Sequence, residues 1–175
     1  MNTNAKILEQ LTALGACRPA TSWVKEEGFK TAQEAWNSPS IHPKDMLWLL
    51  GRTQGTSLAR RRKQILMAVD LLDLTYGPEW YEPNPLDIAL RAALIAYGEG
   101  RLGERSLRRV WRQAMDAGRG WTAGDCVHAC VRAGSHTTAG CYGRLVPGSY
   151  PDHPEMLTKQ QVLIRKHFPK PPRLS

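Results

Sequence analysis

Apolar side chains along this chain recur with the 3.6-residue period of amphipathic helices, in short blocks separated by glycine and proline. Ile7, Leu8, Leu11 and Leu14 form the first stripe, which Gly15 is placed to close as a C-cap. Residues 17–26 read as a second helix, with Pro19 tolerated in its first turn and Gly28 at its end. Thr31-Ala32-Gln33-Glu34 is a capping box, in which the hydroxyl and the glutamate satisfy backbone donors that a helix start leaves unpaired. It opens a third helix, ended by Asn37-Ser38-Pro39. Pro43 is pre-organised as the first residue of a fourth, with Met46, Leu47, Leu49 and Leu50 inward, Lys44 and Asp45 outward, and Gly51 as terminator.

The second half of the pattern is coarser. Ser57 starts a longer helix, Leu58 to Tyr76, whose core side carries Leu58, Ile65, Leu66, Val69, Leu72 and Leu74. After a turn-rich crossing at 76–83, Asn84-Pro85 pairs a capping side chain with a proline at the first helical position. The helix that follows, 86–98, is apolar nearly all round, so it is expected at the centre of the fold. Ser106 lies near the start of another amphipathic helix with Leu107, Val110, Trp111 and Ala114 on one side. Residues 121–133 read as helix, the glycine-rich stretch 134–148 breaks regularity, and Pro154 opens a last helix that runs until Pro169.

Trp23, Trp36 and Trp48 recur about every twelve residues, and each can bury on the order of 200 Å² against a neighbouring helix. A chain of 175 residues buries roughly 70% of the surface its unfolded form exposes and needs no covalent staples. The expected architecture is all-α, a compact multi-helix domain over residues 1–168 with a point of sub-division near 77–84. Residues 169–175, proline-rich and basic, are expected to be extended and solvated.

Charge changes this picture more than composition does. Residues 1–87 hold ten Lys/Arg and ten Asp/Glu, whereas residues 88–175 hold fourteen against six, so the net charge of +8 lies wholly in the second half. That asymmetry points to an anionic partner and excludes a DNA mimic, which would be strongly acidic. Two clusters carry it. Arg60, Arg61, Arg62 and Lys63 crowd the N-terminal end of a helix whose Asp70 and Asp73 lie toward the other end, against the macrodipole by about 0.3–1 kcal/mol per charge. Such an order persists because carboxylates elsewhere offset it or because the cluster is used. Arg105, Arg108, Arg109 and Arg112, with Arg101 before them, form a stripe opposite the apolar face of the 106 helix. Arginine offers a planar, bidentate fork for phosphate or carboxylate, and the competing reading is an ordinary solvated face.

Candidate chemistry is sparse. Cys126, His128, Cys130, His136 and Cys141 fall within sixteen residues, but Cys126 and Cys130 are four apart and lack the paired spacing of structural zinc sites. Buried thiols packing as small hydrophobes explain them as well. Neither a phosphate-cradling G-x-x-x-x-G-K-[ST] loop nor an H-E-x-x-H motif occurs, so no metal, cofactor or catalytic residue is assigned. The start, MNTNAKILEQ, lacks a secretory pattern and the longest apolar run is far short of the ~20 residues of a membrane span, so a cytoplasmic chain with reduced thiols and no membrane is expected.

The pattern Cys17-x2-Ala20-x2-Trp23, followed by Thr31 to Trp36 and by Asp45-Met46-Leu47-Trp48-Leu49-Leu50, resembles the N-terminal pattern of a diffuse group of phage and bacterial proteins. Some of these are described as immunity proteins of polymorphic-toxin loci. The likeness extends through the small-residue helix ending in Gly98-Glu99-Gly100 and through 114–133, so it spans residues 11–133. It implies helices and a binding role. The resulting expectation is a non-enzymatic macromolecule-binding protein, a phage or mobile-element inhibitor of host defence, a counter-defence factor, or an immunity factor. Its partner would be a protein or nucleoprotein with an acidic surface, met by the Arg105–Arg112 stripe and the Arg60–Lys63 cluster. The alternatives are nucleic-acid binding by the same arginine-rich faces, and a thiol or zinc enzyme using Cys126, His128 and Cys130.

Overall fold

The computed structural model describes residues 3–52, 57–76, 85–117 and 154–173. Among them the chain forms eight helices and no strand: α1 (Thr3–Ala13), α2 (Arg18–Glu27), α3 (Ala32–Asn37), α4 (Pro43–Arg52), α5 (Leu58–Tyr76), α6 (Pro85–Gly98), α7 (Glu104–Asp116) and α8 (Pro154–His167). The expected helix at 121–133, the glycine-rich stretch after it and the Cys126/His128/Cys130 group lie outside the described residues, as does the 77–84 segment.

The ends of the helices follow local chemistry. Gly15 and Gly28 sit in the left-handed region just past α1 and α2, as expected of C-caps. At the start of α3 the Thr31 hydroxyl accepts from the Glu34 amide at 3.1 Å. Glu34 completes the cap one residue further back than expected, its Oε2 accepting from the Lys30 amide at 2.7 Å. His42 caps α4, with Nδ1 accepting from the Lys44 amide at 3.1 Å. Gly51 does not end α4. It is buried inside the helix, which continues to Arg52.

One core holds most of the described chain. Trp36, Met46, Leu47, Leu50, Ile65, Met67, Leu71, Leu72, Leu90, Tyr97, Leu107 and Ile164 are almost wholly enclosed and form a continuous cluster with the other buried positions of α4 to α8. α5 is its axis: α6 packs on it from one direction and α8 from another, while α7 packs on α6. A smaller cluster of Ile7, Leu11 and Val24 joins α1 to α2 and is bridged to the main core by Trp23 and Leu49. α6 is less central than its composition suggests. Leu90, Ala93, Leu94 and Tyr97 are buried between α5 and α7, but Ile88 is 49% exposed and Ala89 and Ala92 face outward. Small side chains on that helix give a close approach on one side rather than burial on all sides.

The tail departs from the expected solvated extension. Trp36 Nε1 donates to the Phe168 carbonyl at 3.0 Å, Gln33 Nε2 to the Pro169 carbonyl at 3.3 Å, and Pro172 is buried. The packing is partial: Pro172 is buried and Pro171 half-buried, while Pro169, Lys170 and Arg173 stay exposed.

Candidate functional site

Helix α7 divides into two faces because its residues alternate at the i, i+3, i+4 spacing that places side chains one above another. Leu107 and Ala114 are fully buried, with Val110 and Trp111 half-buried beside them against the core. Arg105, Arg108, Arg109 and Arg112 are all exposed on the other side, where with Gln113 and Asp116 they outline an open groove of about 360 Å³. The turn that aims this helix is tight. Gly100 has φ 82°, a left-handed conformation that glycine adopts without steric cost, and it lets Arg101 N and Leu102 N both donate to the Ala96 carbonyl, at 2.8 and 3.0 Å.

The four α7 arginines are not equivalent. Arg108 is held by Glu104 one turn earlier, its Nε donating to Oε1 at 3.0 Å. Arg105, Arg109 and Arg112 have no ion-pair partner among the described residues.

The second cluster is dispersed by the fold. Arg61 Nη1 lies 4.0 Å from Glu104 Oε2, so Arg61 and Arg108 share one carboxylate and the start of α5 meets the start of α7 there. Arg62 is turned to Tyr97, its guanidinium carbon 5.7 Å from the ring centroid, and Lys63 lies 5.4 Å from the Phe168 ring centroid. Both are cation–π distances. Arg60 is half-buried on the first turn of α5. The α7 set is thus one exposed face with Arg61 at its edge, whereas Arg62 and Lys63 are engaged by aromatic rings of α6 and the end of α8.

A second site was not legible in the sequence. α1, α2, α3 and α4 border a half-open apolar cavity of about 310 Å³, lined by Leu11, Trp23, Trp36 and Trp48 and reached by Pro171 of the tail. Lys44 and Asp45, expected on the outward side of α4, are half-buried and line it. Burial pushes the Asp45 carboxyl above its ordinary range, with His42 and Lys44 pulling it partway back. Asp45 carries no signal in a single sequence beyond being a lone acid ahead of an apolar run.

Among the described residues, fold and surface show a helical architecture with an exposed arginine face on α7 and a tryptophan-walled cavity beside α1 to α4. Compared with known proteins, the chain matches no family model, no curated protein and no solved structure. Among the described residues no helix is long and apolar enough to cross a membrane.

Proposed function

We propose that this chain is a non-enzymatic binding protein that presents the outer face of α7 to an acidic surface on a protein or nucleoprotein. The observation that carries this reading is the self-repulsion of that face. Arg105 and Arg109, and likewise Arg108 and Arg112, are like charges at i, i+4, each such pair destabilising a helix by about 0.2–0.5 kcal/mol. Glu104 offsets only part of it. An exposed face that opposes its own helix is retained more readily if an anionic partner neutralises it. A counter-defence or immunity role, implied by the N-terminal resemblance, is one setting for such a partner.

Nucleic-acid binding is the second reading, favoured by the way Arg61 extends the positive face from α7 onto α5. One experiment separates the two. Tagged wild-type chain and the triple variant Arg105→Ala/Arg109→Ala/Arg112→Ala are used to capture partners from a cell lysate, with and without nuclease. A specific protein retained after nuclease and lost with the variant supports the first reading. Capture that disappears with nuclease, and a salt slope for duplex DNA that falls by about 0.9 per lost phosphate contact, moves the assignment to nucleic acid. Unchanged capture by the variant removes α7 from both.

A further inference from the structure

The cavity between α1 and α4 has the properties of a small-molecule site rather than of a defect in the core. Its volume of about 310 Å³ falls at the lower end of the roughly 300–1,000 Å³ of ligand pockets, and its walls are apolar with few polar groups. Three of the tryptophans line it.

The polar groups in the wall define the ligand's charge. Among the described residues lining the cavity the charged side chains are Lys44 and Asp45, with the Cys17 thiol at the rim. Lys44 and Asp45 are neighbours in sequence and so diverge around the helix rather than pair. Asp45 makes no side-chain hydrogen bond or salt bridge among the described residues, and burial disfavours its charged form. A lysine ammonium on its flexible four-carbon stem can leave the cavity for bulk water, whereas the short aspartate side chain keeps its half-buried carboxylate at the cavity wall. The carboxylate is therefore the group that a ligand would satisfy.

We propose that this cavity binds a small apolar molecule bearing an ammonium group, with the hydrocarbon part against the Leu11, Trp23, Trp36 and Trp48 walls and the ammonium on Asp45. The site is distinct from the α7 face and takes a ligand of opposite charge.

The test is isothermal titration calorimetry of the full chain with 2-phenylethylamine and with 3-phenylpropionate, which share a ring and differ in the sign of the end group. The amine is expected to bind about tenfold or more tightly than the acid, and Asp45→Asn to erase that preference. Affinity of the wild-type chain for the amine should also weaken as pH falls and Asp45 takes up a proton, which keeps the test independent of the variant's folding. His42 and Lys44 are the charged or titratable groups acting on Asp45 from its own segment, and Cys17 is the titratable group facing the cavity from the start of α2. Equal binding of the two probes, a preference for the acid, or no heat from either would overturn the proposal.

Discussion

Trp36 and Phe168 are 132 positions apart, yet the indole Nε1 of the first donates to the main-chain carbonyl of the second at 3.0 Å inside the core. This bond ties the end of α8 to α3, and Trp36 is 1% exposed. Trp36→Phe keeps an aromatic ring but leaves the carbonyl without its donor and a gap where the larger ring lay. A loss of about 2–4 kcal/mol is expected, read from the shift in urea midpoint at unchanged m-value. A change within error would mean that water replaces the indole and that the C-terminal segment is not held from this point.

Arg165 is the second tie between the same elements. Its Nε donates to the Trp36 carbonyl at 3.0 Å and its Nη2 to the Ser38 carbonyl at 2.8 Å. Burial lowers the guanidinium pKa from its ordinary value, but an arginine so shifted stays charged throughout the physiological range. Arg165→Met removes the donor to the Trp36 carbonyl and leaves the Ser38 carbonyl with only the long 3.4 Å bond from the Ile41 amide, and should destabilise by about 1–3 kcal/mol. Arg165→Lys should recover little, because an ammonium lacks the fork that serves two carbonyls at once.

Asp45 gives the fold a defined pH response. Its folded-state pKa is raised, so the native chain binds a proton where the unfolded chain has already released it. Stability from this group is fully present below the ordinary aspartate range and is lost as pH rises through the raised folded value. The N-terminus of α4 favours an anion there, but the upward direction shows that burial prevails. Asp45→Asn should therefore match wild type in acid and exceed it in melting temperature at neutral pH. Melting curves of both proteins across that range check the sign; a variant less stable at neutral pH would mean that the carboxylate is stabilised by partners.

What the sequence made legible was local. Pro43, Thr31, Gly15 and Gly28 mark helix ends because proline, a hydroxyl cap and a left-handed glycine act within one turn of their own position. The α7 face was legible for the same reason, since i, i+4 spacing is a property of one helix. Arg62 and Lys63 were not separable from Arg60 and Arg61, because Tyr97 and Phe168 approach them from distant parts of the chain. Gln161 donates to the Ile41 carbonyl at 2.7 Å, and a backbone acceptor leaves no mark in sequence. Asp45 was assigned to solvent because charge patterning places acids outward, and the cavity it lines together with residues of α1 and α2 exists only in the folded chain.

Gly98 tests how closely α6 approaches α5. A Cβ at that position would stand 2.5 Å from Leu66 Cγ and 3.3 Å from the Arg62 carbonyl. Alanine would otherwise favour the helix by about 1 kcal/mol, but overpacking of this kind costs roughly 1–3 kcal/mol. Gly98→Ala is expected to destabilise, and adding Leu66→Ala to relieve the variant by more than the two effects sum. A double-mutant cycle on urea midpoints measures that coupling.

The arginine face yields the opposite sign. Arg105, Arg109 and Arg112 are exposed, and the like-charge pairs they enter oppose the helix rather than support it. The triple alanine variant should fold as well as wild type or gain a few tenths of a kcal/mol, since alanine also has the highest helix propensity. Binding to the proposed anionic partner should fall by a factor of about ten or more, because three exposed donors that have no ion-pair partner among the described residues are removed together. Thermal unfolding and partner capture on the same preparations test both halves. A destabilised variant would place these side chains among the forces that hold the fold, and intact binding would leave their mutual repulsion without a functional cause.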